Sequence, residues 1–244
     1  MQKPLNVVCL KWGDKYPADY VNRLYKMVNR HLTRPFKFYC LTECKEGLLP
    51  AIHQLPLETS DLVGWWYKLS LFKKNFYGLE GDILYLDLDV VIVNNIDFLA
   101  EQPGDFLICI DWTIELMWNS SVMRFQAGQH SHIWESFLEN KESVLNNYNG
   151  DQEWIFECVP SAGNWPVEKV VSYKKSLKSK AYPLIDKLKR PELESRLKAL
   201  KWFDTKLPPA AAVVVFHGKP DPEDVADKPY GRWKRASFVN RYWC

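Results

Sequence analysis

Short apolar runs alternate along this chain with longer stretches whose apolar residues recur at helical spacing. Residues 5–10 form the first run. Pro17 then suits the first turn of a helix, and Tyr20, Leu24, Met27, Val28 and Leu32 fall on one helical face before Pro35 closes the segment. Residues 36–41 and 52–55 read as two further strands. Residues 65–77 read as a helix entered through Gly64, and Gly78 and Gly81 break the chain ahead of the strongest strand, 83–88. The pattern then predicts a strand at 106–110, a weaker one at 120–125, and helices over 130–145 and 152–158. Lysines accumulate from 169 to 201 while deep apolar runs stop, which reads as a pause in the sheet with a solvated helical face. Residues 211–216 return to the sheet. Strands that alternate with crossover helices make an α/β fold.

Composition bounds this picture without changing it. The 244 residues are 47% hydrophobic and 14% aromatic, enough for one sizeable core. The expectation is one main domain over residues 1–220 and a small helical or irregular appendage over 221–244. A formal net charge of +2 gives no reason to invoke nucleic acid. Of the six cysteines, Cys9, Cys40 and Cys109 sit inside strand-like runs and read as free core thiols, and no C-x-x-C pair suggests a zinc site. Residues 5–10 are too short a run for a signal-peptide core or a membrane span. A reducing cytoplasm is the expected location.

The chemistry concentrates at the end of the strongest strand. Side chains alternate faces along a strand, so Asp87 and Asp89 are expected to point the same way while Leu88 enters the core. Two carboxylates at an apolar strand end repel each other, and a divalent cation is the natural compensation. In open α/β sheets ligands bind beyond the carboxyl ends of the strands, where this pair falls. The segment Asp87-Leu88-Asp89-Val90-Val91 also resembles the nucleophile motif of haloacid-dehalogenase-type phosphatases, in which the first aspartate attacks phosphorus. That family carries its motif on the first strand and needs a later acidic pair. Here the doublet follows several strands, and Gly150-Asp151 lacks the second aspartate.

Several segments, taken in order from about residue 5 to about residue 219, resemble glycosyltransferases of the GT-A fold. The nearest likeness is to glycosyltransferase family 8, the glycogenin and bacterial galactosyltransferase type. Tyr85-Leu86-Asp87-Leu88-Asp89-Val90, followed by Asn95-Ile96-Asp97, is similar to that family's metal-binding strand and the turn after it. Asp14-Lys15-Tyr16 looks like its base-binding turn, with Tyr16 stacking on uracil and Trp12 as the alternative ring. Tyr67-Lys68-Leu69 looks like the segment whose basic residue reaches the donor near its phosphates. Trp118-Asn119-Ser120-Ser121 looks like the turn under the donor sugar, though the family usually has glycine where Ser121 stands. Gly150-Asp151-Gln152 opens a helix as the family's aspartate–glutamine pair does beside the reacting carbon, and Asp151 is equally suited to cap that helix. Phe216-His217-Gly218-Lys219-Pro220 resembles the segment that gives a third metal ligand, His217, and a pyrophosphate lysine, Lys219. Its spacing departs from the family's, which places residues between histidine and glycine and between glycine and lysine.

The resemblance implies a Rossmann-like mixed sheet flanked by helices and transfer of a hexose from a nucleoside diphosphate sugar, with a UDP-sugar expected, to a glycan or lipid-linked acceptor. Asp87, Asp89 and His217 would hold the cation. An imidazole among its ligands favours Mn²⁺ over Mg²⁺, which is the alternative. Lys68 and Lys219 would face the leaving pyrophosphate. Asp151 as a base on the acceptor would give inversion, whereas retention, which the resemblance implies, puts Gln152 beside the sugar. A non-enzymatic alternative is a carbohydrate-binding module using some of the eleven tryptophans. The last fifteen residues interleave Tyr230, Trp233, Phe238, Tyr242 and Trp243 with arginine and lysine. That pattern suits either packing back on the domain or peripheral contact with an anionic membrane.

Overall fold

The computed structural model describes residues 3–57, 62–178, 192 and 204–244. Its centre is strand β1 (Leu5–Leu10), all six of whose residues are buried, as a strand covered on both faces requires. Val7 and Cys9 face one half of the core and Val8 and Leu10 the other. Helix α1 (Ala18–His31) follows Pro17 and buries Tyr20, Val21, Leu24, Met27 and Val28. Strands β2 (Phe36–Thr42) and β3 (Ile52–Pro56) then join in parallel, Cys9 opposite Cys40 and Leu41 opposite Leu55.

Residues 65–77, expected as one helix entered through Gly64, form a 3₁₀ helix over Gly64–Phe72 and then turns. Trp66, Leu69 and Phe72 are three apart and all buried, so a period of three residues per turn stacks them on one face, where an α-helix would spread them. Strand β4 (Asp82–Leu86) runs parallel to β1, and after a turn the short β5 (Val90–Ile92) leaves the main sheet. Helix α2 (Phe98–Glu101) leads to β6 (Phe106–Ile110) and β7 (Trp118–Gln126). Expected as the weaker strand, β7 is nine residues long and buried along all but its last one. It lies between β4 and β6, antiparallel to both. Its buried Arg124 donates to the carbonyls of Leu99, Gln102 and Gly104, which pins the approach to β6 across the sheet.

The helix expected over 130–145 is broken at Asn140 into α3 (Ser131–Glu139) and α4 (Lys141–Asn147). Asn140 leaves helical geometry at φ −118°, ψ 22°. Helix α5 (Asp151–Cys158) comes next, then the two-residue edge strand β8 (Gly163–Asn164) and β9 (Val170–Ser172). The main sheet has the order β3-β2-β1-β4-β7-β6-β8. Strand β10 (Val213–Val215) does not return to it; it pairs antiparallel with β5 and parallel with β9 in a second sheet of three strands. Most of the lysine-rich stretch, residues 179–191 and 193–203, lies outside the described residues.

The C-terminal segment carries α6 (Pro222–Ala226) and α7 (Phe238–Tyr242). Val225, Ala236, Phe238, Val239 and Trp243 belong to the same buried cluster as α1 and the second sheet. Trp243 meets Tyr20 edge-on at 4.8 Å between ring centres, and Arg30 donates to the carbonyl oxygens of Tyr242 and Cys244. Tyr230 is exposed.

Candidate active site

The turn from β4 to β5 carries Asp87, Leu88 and Asp89, and neighbours on both sides fix it. The Asp87 amide donates to the Ser121 carbonyl on β7 at 2.9 Å, and the Phe216 amide after β10 donates to the Asp89 carbonyl at 3.2 Å. The two aspartates thus occupy the turn rather than the strand itself. Leu88 is buried between them, as expected, and both aspartates line one cleft of about 360 Å³. Their partners differ. Asp87 Oδ1 accepts from the Tyr85 hydroxyl at 2.7 Å and lies 3.1 Å from Lys68 Nζ. Asp89 Oδ2 faces the Tyr16 hydroxyl at 3.5 Å.

Lys68 and Asp151 form the buried floor beside this pair. Lys68 Nζ donates to Ser120 Oγ at 2.9 Å and lies 3.5 Å from Asp151 Oδ2, which accepts from Ser120 Oγ at 2.6 Å. Burial disfavours the Lys68 charge, but Asp151 and Asp87 outweigh it and hold its pKa above the ordinary lysine value. Burial raises the Asp151 carboxyl, with Lys68 and Ser120 opposing. Asn119 Oδ1 accepts from the Ser121 amide at 3.1 Å. Asn119, Gly150, Gln152, Glu153 and the exposed Trp65 complete this side of the cleft.

His217 and Gly218 line the opposite wall, where β10 ends. His217 stacks on Trp112 with ring centres 5.5 Å apart, and its Nε2 is 2.7 Å from Ser172 Oγ. Burial and the neighbouring Lys174 lower its pKa to about 4, so the imidazole is neutral at pH 7. The Tyr16 hydroxyl donates to buried Asp221 at 3.1 Å, while its ring stacks on Tyr20 at 4.5 Å with Lys15 Nζ 4.8 Å from its centre. Trp12 also lines the cleft. Asp14 is exposed and outside it. Lys219 also lies outside it, its Nζ 2.7 Å from Asp221 and 3.0 Å from Asp224.

The charge balance fits a divalent cation at the acidic turn. Burial and then the charge of Asp87 push the Asp89 carboxyl up to about 8, against the pull of Lys15 and Lys68. Negative charge there is under-compensated, which is the condition a cation relieves. A neutral imidazole is the form of histidine that can ligate. Among the described residues no three His, Cys, Asp or Glu side chains already converge as a metal-holding group.

No family model and no curated protein sequence matches the chain. Solved structures do. The galactosyltransferase LgtC in complex with donor and acceptor sugar analogues superposes at a TM-score of 0.59 and 13% identity, over 89% of this chain and 88% of that one. The glycosyltransferase GlyE of Streptococcus pneumoniae TIGR4 does so at 0.65 and 11%, over 99% of this chain and 60% of that one. The bifunctional glycosyltransferase WbbM does so at 0.61 and 10%, over 93% and 48%. This chain has the GT-A fold. Within it, the sequence-identified Trp12, Tyr16, Lys68, Asp87, Asp89, Asn119, Asp151, Gln152, His217 and Gly218 share one cleft of the GT-A sheet.

Tyr85 and Ser120 fall inside segments that carry the resemblance, yet their own contacts, like those of Asp221 and Lys174, were not readable in the sequence. Tyr85 alternates with core residues and shows itself only through its hydroxyl on Asp87. Ser120 reads as an ordinary strand serine until Lys68 and Asp151 close on it. Asp221 caps α6, its carboxylate meeting the Asp224 amide in a capping box, and only the fold brings the Tyr16 hydroxyl to it. Lys174 is one lysine in a lysine-rich stretch, and only the fold brings it under His217.

Proposed function

We propose that this protein is a metal-dependent glycosyltransferase that moves a hexose from a nucleoside diphosphate sugar, with a UDP-sugar as donor, to a glycan or lipid-linked acceptor. The observation that carries the reading is the pairing, in one cleft of a GT-A fold, of an under-compensated acidic turn with a buried lysine–aspartate pair. An acidic turn suits a cation that faces phosphate, and buried polar groups beside it suit recognition of a sugar's hydroxyls. The complex of LgtC with donor and acceptor sugar analogues supports the same use of the cleft.

Asp87 and Asp89, with His217, are the residues that would hold Mn²⁺ or Mg²⁺, and the cation would supply charge for the leaving diphosphate. Tyr85 orients Asp87 by its hydroxyl hydrogen bond. Lys68 lies within 3.5 Å of both Asp87 and Asp151 and offers positive charge beside the sugar. Asp151 is buried and already accepts from Ser120 and Lys68, which suits positioning of sugar hydroxyls better than removal of a proton from an acceptor. That favours retention, with Gln152 beside the anomeric carbon. Trp12 supplies an aromatic face for the base. Tyr16 can do so only if Lys15 moves off its ring, since Tyr20 covers the other face. The tail has less support as a membrane contact, because Phe238 and Trp243 are spent on the core and, among the described residues, no helix is long and apolar enough to cross a membrane. The unpaired core thiols are consistent with a reducing cytoplasm.

Titrating UDP and other nucleoside diphosphates into the protein with and without Mn²⁺ tests the reading. Tight binding that needs the metal is expected, with no phosphate release from a generic phosphate ester. Indifference to every nucleotide would return the cleft to a carbohydrate-binding role, and ester hydrolysis would return Asp87 to the role of a phosphatase nucleophile.

A further inference from the structure

The lysines around the cleft differ in what neutralises them. Lys68 is buried but has Asp87 and Asp151 within 3.5 Å. Lys219, which the sequence resemblance makes the pyrophosphate lysine, is held by Asp221 and Asp224, and these hydrogen-bonded carboxylates keep its pKa above the ordinary lysine value. Lys15 is exposed at the cleft with its Nζ over the Tyr16 ring. Lys174 is different.

It follows β9, is half-buried, and turns inward, with Nζ donating to the His217 carbonyl at 2.6 Å. Its Nζ lies 3.8 Å from where a Cβ on Gly218 would stand, and His217 and Gly218 are the backbone that walls the cleft. Burial lowers its pKa; Asp89 and then Asp221 oppose that, and Arg232 and Lys175 add to it. Among the described residues it has no carboxylate in an ion pair. A partly buried ammonium with one neutral carbonyl as its hydrogen-bonding partner lacks the anion that would compensate its lost hydration. Lys174 does not itself line the cleft, but Gly218, which does, has no side chain to stand between the cleft and that ammonium.

We propose that Lys174, rather than Lys219, is the lysine that binds the diphosphate of the donor, approached across Gly218. Lys219 is a strut: its ion pairs brace Asp221, which holds the Tyr16 hydroxyl. This assignment rests on the reading of the cleft as a nucleoside diphosphate sugar site and adds the residue that supplies charge on the β9 side. A diphosphate oxygen placed there gains a charge-assisted hydrogen bond that uridine alone cannot make.

Calorimetric titration of UDP and of uridine, with Mn²⁺ present, into wild type, Lys174→Met, Lys174→Arg and Lys219→Met separates the two lysines. Lys174→Met is expected to weaken UDP binding about tenfold or more and to leave uridine binding unchanged, with Lys174→Arg recovering part of the loss. Lys219→Met is expected to change UDP affinity less than about threefold. Equal UDP affinity of Lys174→Met and wild type, a larger loss in Lys219→Met, or a parallel loss of uridine and UDP in Lys174→Met would overturn the assignment. Failure of the wild type to bind UDP would instead strike the donor reading on which it rests.

Discussion

Asp89 and Asp97 are both aspartates at the ends of short elements, yet their surroundings drive them in opposite directions. Partial burial works against the Asp97 charge, but its carboxylate accepts from the Thr33 amide at 2.7 Å, from Thr33 Oγ1 at 2.6 Å and from Asn95 Nδ2 at 2.8 Å, so its pKa lies below the ordinary value. A depressed folded pKa stabilises above the unfolded value, and the benefit is lost as pH falls through the folded one. Asp97→Ala should therefore cost about 1–2 kcal/mol at pH 7 in urea denaturation, and the gap from wild type should narrow towards pH 3. For Asp89 the sign reverses. Its raised pKa means that, without metal, ionisation of this carboxyl weakens the fold as pH climbs towards about 8. Asp89→Asn should then be at least as heat-stable as the metal-free wild type at pH 8, while losing Mn²⁺-dependent UDP binding. A clear drop in melting temperature would show that the carboxylate is structural. The sequence made Asp87 and Asp89 visible because a doublet after an apolar strand is unusual; it hid Ser120 and Lys174, whose partners are 31 and 43 residues away.

At the level of elements, period and punctuation located β1, α1, β2 and β3 within a residue or two, because β1 is a short run buried on both faces and α1 repeats one buried face. Three elements were read only in part. The segment after Gly64 carries nearly continuous bulky residues, a pattern that suits a 3₁₀ or an α-helix equally until packing selects one. Asn140 breaks a helix without glycine or proline to announce it. Strand β7 was underrated because Asn119, Ser120 and Ser121 look like loop, although they are polar for the sake of the cleft. Gly64, read as a helix entry, and Gly78 and Gly81, read as breaks, all have positive φ, and so does Gly128, which the pattern did not single out. Gly128 sits at φ +76°, where an added Cβ would be 2.6 Å from the Lys74 carbonyl oxygen. Gly128→Ala should destabilise by roughly 2 kcal/mol or more, measured as a lower urea midpoint with unchanged slope, since both the left-handed backbone and the backbone contact must yield.

For the molecule as a whole, short apolar runs alternating with helical stretches were enough to foresee an α/β sheet with crossover helices. The second sheet was not legible: β5 and β10 meet across more than a hundred residues, and an apolar run does not say which sheet it joins. Nor did the interleaved aromatics of the tail say whether they face lipid or protein. With Phe238, Val239 and Trp243 in the core, deleting residues 230–244 should lower the melting temperature by 10 °C or more, on the order of several kcal/mol for three buried side chains, or abolish soluble expression. A truncated protein as stable as the intact one would contradict that packing.

The most direct test of the central claim is release of nucleoside diphosphate from a panel of nucleotide sugars, measured with Mn²⁺ and with EDTA for wild type and for Asp89→Asn. Wild type with Mn²⁺ should turn over at least one donor, with no turnover in EDTA or by a folded Asp89→Asn. Turnover that persists in EDTA, or no turnover of any donor in the panel by the wild type with Mn²⁺, would rule out a metal-dependent glycosyltransferase.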